Sequence, residues 1–142
     1  MRILKTIAVS LALLFPATAF AGQGILYKNP QCGCCEGHAE HLRQNGIDVT
    51  SVPTHDLALL RQEHGVPIDL VGCHMLLIGG YVVEGHVSAS IIKRLLDERP
   101  AIKGISLPGM PTGSPGMTGP KTEPFTIYTF GGEGEPRVYA VE

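Results

Sequence analysis

Ile25-Leu26-Tyr27-Lys28-Asn29-Pro30-Gln31-Cys32-Gly33-Cys34-Cys35 is the stretch that decides the fold. Residues 25–28 are a short run of β-forming side chains and read as a first strand. Asn29-Pro30-Gln31 interrupts it, and a helix is expected from about Cys34 to Gln44, stopped by Asn45-Gly46. Three of the four cysteines therefore lie at a strand-to-helix junction. The free N–H groups and positive dipole end of a helix start favour thiolate over thiol. Thiolates attack disulfides and bind soft metals. Cys32 and Cys35 form a C-x-x-C, and Cys34 is a third thiol within it.

Working outward, residues 47–52 read as a second strand ended by Pro53. Thr54-His55-Asp56 offers caps for a short helix over about 57–64, stopped by Gly65 and Pro67. Residues 75–78 and 81–84 flank Gly79-Gly80 and read as a hairpin, because a two-residue glycine loop suits the strand twist. Ser88 caps a third helix whose buried stripe is Ile91, Ile92, Leu95 and Leu96, with Pro100 past its end. Residues 104–124 are rich in Gly, Pro, Ser, Thr and Met and read as loop. Residues 125–130 and 137–141 then form a C-terminal hairpin, so the predicted fold class is α/β.

The chain opens with the pattern of an export signal. Arg2 and Lys5 precede an apolar run over 7–15, and Ala19-Phe20-Ala21 matches a cleavage site. The expected organisation is a signal peptide at 1–21 and one domain at 22–142, carried to the periplasm. A formal charge of −2, the absence of Trp and the lack of any basic run argue against a nucleic-acid partner. No later run is long enough for stable membrane insertion.

The strand, C-x-x-C, helix order followed by α, hairpin and α resembles the thioredoxin-like fold. That resemblance implies a central mixed sheet flanked by helices. It also implies a loop before the hairpin that packs on the C-x-x-C and normally carries a cis-proline. Here that loop is Val71-Gly72-Cys73-His74, so a fourth sulfur replaces the proline and all four thiols are expected to converge. Soft thiolates select Cu(I), Zn(II) or iron–sulfur clusters. A compressed C-x-C-C with a lone cysteine suits ions that share sulfurs, which favours Cu(I) over one tetrahedral zinc. Two structural disulfides are the plainer alternative, disfavoured because neighbouring cysteines bridge poorly.

Further soft donors lie near these sulfurs. His38 shares a helix face with Cys34 and Cys35, and is either a ligand or a packed histidine bonded to backbone. His74 follows Cys73 but would point to the opposite face of an extended segment. His86 follows the hairpin and reaches the same sheet end only if its strand is short. Met110 and Met117 sit in a Pro/Gly loop with few apolar neighbours, where a thioether can serve Cu(I) or dock the loop.

Cys32-Gly33-Cys34-Cys35, Gly72-Cys73-His74, Glu84-Gly85-His86-Val87 and residues 108–117 together resemble the CopG-type periplasmic copper-resistance proteins. The resemblance implies a thiolate-bridged cluster of several copper ions on Cys32, Cys34, Cys35 and Cys73. It implies copper handling with change between Cu(I) and Cu(II), and other periplasmic copper-handling proteins as partners. His38, His74, His86, Met110 and Met117 are the candidates for the outer shell. No residue is singled out as catalytic. The competing function is a thiol–disulfide oxidoreductase using the Cys32/Cys35 pair, and Cys34 argues against it because a third thiol invites mispairing.

Overall fold

A computed structural model describes residues 22–142. The expected signal peptide and its cleavage point lie outside the described residues. Seven strands and three helices follow in the order β1 (Gly24–Lys28), α1 (Gly33–Gln44), β2 (Val49–Pro53), α2 (Leu57–Glu63), β3 (Met75–Ile78), β4 (Tyr81–Glu84), α3 (Ala89–Glu98), β5 (Gly104–Ser106), β6 (Thr126–Phe130) and β7 (Val138–Val141). A 3₁₀ turn at Ile68–Leu70 precedes β3. The strands form one sheet in the order β2-β1-β3-β4-β5-β6-β7. β1 runs parallel to β2 and antiparallel to β3, and β3 and β4 make the expected hairpin. This is the thioredoxin-like core, extended on its β4 side.

The extension corrects one reading. Gly104–Ser106 is not loop but β5, parallel to β4 and antiparallel to β6. Three residues are too few for a periodicity to declare a strand. Tertiary pairing supplies what local propensity does not, since β5 lies between two partners and is fully covered. β6 and β7 pair as the C-terminal hairpin, with a bulge at Ile127/Tyr128.

The sheet separates two apolar layers. Leu26, Leu76, Val83 and Ile105 on one face pack against Leu42 of α1 and Ile92 and Leu95 of α3. On the other face Met75, Val82 and Phe130 meet Leu57 and Leu60 of α2. Each fully buried leucine or isoleucine stabilises the fold by roughly 2 kcal/mol. The buried positions of α1 are Cys35, His38, Ala39 and Leu42. That i, i+3, i+4, i+7 set turns one cysteine and one histidine into the core beside two apolar anchors. Ser88 caps α3 by accepting from the Ile91 N–H, as its position before the apolar stripe predicts. Among the described residues no helix is long and apolar enough to cross a membrane.

Candidate metal centre

Cys32 is the N-cap of α1, with extended backbone and its Sγ accepting from the Cys35 N–H at 3.3 Å. Capping puts the sulfur at the helix start by construction. Cys73 arrives from the loop before β3 and contacts every other cysteine. Its Sγ lies 3.5 Å from that of Cys32, 3.6 Å from that of Cys34 and 3.4 Å from that of Cys35. One sulfur from each of the four cysteines falls within 4.8 Å of the others. Cys32 and Cys35 are joined as a disulfide, leaving Cys34 and Cys73 as the free thiols. This departs from the expectation of four thiols. A C-x-x-C on a helix start holds its Cα atoms 5.4 Å apart, inside the disulfide range. Burial, then the hydrogen bond and charge of Cys34, push the Cys73 thiol up to about 12. The helix start therefore does not make a thiolate of Cys73, which lies off the helix.

The Cys73 loop is held by a buried ion pair that the motifs do not announce. Arg61 of α2 donates from Nε to both carboxylate oxygens of Glu84 at 3.1 and 3.2 Å. The same guanidinium donates from Nη2 to the Gly72 carbonyl at 2.8 Å, and Glu84 accepts from the Gly72 N–H at 2.9 Å. Both backbone groups next to Cys73 are thus satisfied by side chains where another sheet strand would otherwise do so. Burial raises the Glu84 carboxyl above the ordinary range, against the pull of Arg61 and of the Gly72 N–H. Removing one member of such a pair leaves the other charged and dry. Arg61→Met is expected to cost about 3 kcal/mol, read as a lower urea midpoint at pH 7. An unchanged midpoint would show the clamp to be idle.

A second group lies one helical turn beyond the sulfurs. His38, His74 and His86 are fully buried, and one ring nitrogen from each lies within 4.8 Å of the others. The expectation that His74 turns away is corrected. Cys73 lies at a bend and not in a strand, so strand alternation does not apply, and His74 faces His38 on α1. His86 reaches the same end because β4 has only four residues. His38 Nε2 is 2.8 Å from the Val87 carbonyl and its Nδ1 is 2.7 Å from His74 Nε2. A carbonyl only accepts, so His38 carries its proton on Nε2 and its Nδ1 accepts from His74 Nε2–H. His86 donates from Nδ1 to the Pro115 carbonyl at 2.7 Å. His74 Nδ1 and His86 Nε2 have no partner. All three rings are neutral. Burial and then the neighbouring imidazoles hold His38 at about 3 and His74 well below its usual range, and burial lowers His86.

Residues 107–119 close over these groups through main chain. Gly109 donates its N–H to the Val71 carbonyl and forms a parallel bridge with Gly72, which puts Met110 in register with Cys73. Gly116, at φ +85°, packs on α1 so closely that a Cβ there would lie 2.4 Å from His38 N and 2.7 Å from the Cys34 carbonyl oxygen. Met117 follows it and is half-buried, while Met110 is 59% exposed. The loop docks by its glycines and the Pro115 carbonyl rather than by its methionines. Gly116→Ala combines backbone strain with that collision and is expected to cost about 2 kcal/mol in urea unfolding. It should also free His86 Nδ1, seen as a shifted ring-proton resonance. A resonance left in place would show that the loop is not seated by Gly116.

The sequence reading missed Lys28, Arg61 and Glu84. Lys28 is 7% exposed and its ammonium lies 3.3 Å from the Cys32 carbonyl, bringing positive charge to the sulfur end. A lysine closing a β-run was the available signal. Arg61 interrupts the apolar face of α2 and Glu84 shares the Val82 face of β4, each a polar residue at an inward position.

A family model described as "Protein of unknown function, DUF411" matches residues 70–117. That segment spans Cys73, His74, His86 and all but the last two residues of the closing loop. No curated protein matches. A solved structure named "Copper resistance protein copG- Form 2" is 35% identical with a TM-score of 0.78, covering 84% of this chain and 97% of that one. "Copper resistance protein copG- Form 1" is 34% identical, also at 0.78, covering 86% and 98%.

Proposed function

The chain belongs to the copper resistance protein CopG family, and on that premise we propose that it is a periplasmic copper-binding protein that holds several copper ions on Cys32, Cys34, Cys35 and Cys73. The carrying observation is the group of four sulfurs within 4.8 Å of one another. Copper is the cargo here. Thiolates are the soft donors that select Cu(I), and sulfurs this close bridge ions rather than wrap a single one. Met110, one residue past the Gly109–Gly72 bridge, and Met117, one past Gly116, are the thioether candidates for the loop side of the cluster. Reduced protein loaded anaerobically with Cu(I) should take up more than one ion per chain, with sulfur-dominated X-ray absorption. Uptake of a single ion, or of none, would remove the shared-cluster reading.

The Cys32–Cys35 bond supplies a balanced route for changing copper's oxidation state. Two Cu(II) ions each take one electron from the Cys32 and Cys35 thiolates. Two Cu(I) ions and the disulfide result, and Cys34 and Cys73 remain to hold the soft product. A reduced dithiol partner restores the pair by exchange. Copper-handling proteins of the same compartment are the expected receivers.

The same bond favours a second reading, thiol–disulfide exchange with Cys32 as nucleophile and Cys35 as resolving thiol. A disulfide-reductase assay on copper-free protein separates the two. Turnover surviving Cys34→Ala supports exchange, and its absence in the unsubstituted protein removes it.

A further inference from the structure

A third thiol beside a disulfide is normally a source of exchange. A thiolate that attacks one sulfur of the bond displaces the other, and the pairing moves. Cys73 lies within reach of such a step, since its Sγ is 3.5 Å from that of Cys32 and 3.4 Å from that of Cys35. The two distances are nearly equal, so the Cys73 sulfur sits beside the middle of the Cys32–Cys35 bond. Displacement at sulfur runs in line, with the attacking atom on the extension of the S–S axis beyond the sulfur it attacks. From beside the bond that approach is closed, yet the four sulfurs stay within 4.8 Å of one another.

The bearing of Cys73 is set by its loop. Cys34 and Cys35 lie in α1 and Cys32 caps it. Cys73 belongs to no helix or strand, so its place is fixed through its neighbours. Gly72 is held at both backbone groups, its N–H by Glu84 and its carbonyl by Arg61. It also lies flat on the end of β4, where a Cβ would come within 2.5 Å of Gly85 Cα. The Val71 carbonyl accepts from the Gly109 N–H, and the His74 carbonyl from the Gly85 N–H. Of these attachments only the Arg61–Glu84 clamp is made by side chains, so it is the one that a substitution releases alone.

We propose that Arg61 and Glu84 are positioning residues that hold the Cys73 sulfur beside the Cys32–Cys35 bond and off its axis, and so keep the loop thiol from exchanging into that disulfide. The step they prevent balances without an oxidant. Cys73 gives its proton to water and its thiolate bonds to Cys35 Sγ. The Cys32–Cys35 bond breaks, and its electron pair leaves on Cys32 Sγ, which takes up a proton. One disulfide and two thiols stand before and after, but Cys73 is consumed and Cys32 is freed. Attack at Cys32 would free Cys35 in the same way. The copper-binding reading says why this matters, because exchange removes the one sulfur that enters from outside α1 and its cap. The pairing itself does not depend on that reading.

The test reads the pairing directly. Copper-free full chain carrying the Cys32–Cys35 bond is held anaerobically at mildly alkaline pH, then its thiols are alkylated and it is digested with trypsin. Trypsin leaves Cys32, Cys34 and Cys35 on the peptide 29–43 and Cys73 on another, so an exchanged bond joins two peptides. Mass spectrometry should find the joined form scarce in the unsubstituted protein and raised at least about 10-fold in Arg61→Met, which strands one partner of a buried pair. Leu95→Ala is the control, a buried side chain on the face of the sheet opposite α2. It should lower the urea midpoint and leave the pairing unchanged. Should Arg61→Met fail to fold, Arg61→Lys decides, because it keeps the charge and loses the fork that reaches Glu84 and the Gly72 carbonyl together. Joined peptides above the unsubstituted level in Arg61→Lys support the proposal. Joined peptides abundant in the unsubstituted protein, equal in Leu95→Ala, or unraised in the folded Arg61 variant overturn it. The samples hold no copper, so failure here leaves the copper reading standing, and failure of Cu(I) uptake leaves this inference standing.

Discussion

Cys73→Ser is expected to weaken Cu(I) binding by at least about 100-fold and to lower the copper count per chain. Losing a group that merely orients a ligand already costs 10–100-fold in metal affinity, so losing a ligand that the proposed cluster would share among its ions should sit at or beyond the upper end. Cys73 has that shared position. Its sulfur lies within 3.6 Å of each of the other three, whereas no other cysteine enters from outside α1 and its cap. Serine replaces a soft donor by a hard, weakly binding hydroxyl of similar shape. Folding should be little affected, because Arg61 and Glu84 hold the loop by Gly72 and not by the cysteine. Competition against a chromophoric Cu(I) chelator measures both affinity and stoichiometry. A serine variant with wild-type values would remove the claim that the four sulfurs act as one site.

Acid is expected to unfold the copper-free protein in a range where carboxylates alone would not. His38 titrates in the folded chain at about 3 and His74 well below its ordinary value, with burial the first cause of both. Unfolded histidines titrate near 6.5. Between these limits the unfolded chain binds protons that the folded chain refuses. Stability from these groups is therefore complete above about 6.5 and is lost as pH falls toward the folded values. His38 alone accounts for about 2 kcal/mol between pH 7 and pH 5, and His74 adds to it in the same sense. His86 adds in the same sense. Glu84, raised by burial, acts oppositely and offsets a part. Urea unfolding at the two pH values measures the difference. A flat profile would mean that the rings accept protons in the folded state and that their cluster is wetter than its burial implies.

Much of this was legible in the chain, for reasons that differ by element. The β3–β4 hairpin falls at its predicted residues because Gly79 and Gly80, at φ +57° and +87°, are the two positions the turn demands. The helix stripe of α3 and its Ser88 cap are equally local signals. The meeting of Cys73 with Cys32, Cys34 and Cys35 required the thioredoxin-like topology, since 38 residues separate Cys35 from Cys73. What escaped was non-local and polar. β5 is a strand only because β4 and β6 pair with it. The turning of His74 toward α1 depends on a bend at Cys73 that the alternation rule cannot anticipate. The Arg61–Glu84 clamp joins two elements through Gly72, and although Glu84 opens the Glu84-Gly85-His86-Val87 motif, nothing local pairs it with Arg61.

The loop over 107–119 holds the site by backbone atoms: the Gly109 N–H, the Pro115 carbonyl and the bare Cα of Gly116. Apart from the buried Leu107 and Ser114, its side chains carry little of that attachment. The segment can therefore drift in sequence at most positions while keeping its path, provided its glycines stay. A saturation library of the loop should show that asymmetry, with intolerance concentrated at Gly116 and broad permissiveness at exposed positions such as Thr112 and Thr118. Evolution could then tune what passes over the metal centre without rebuilding what holds it in place.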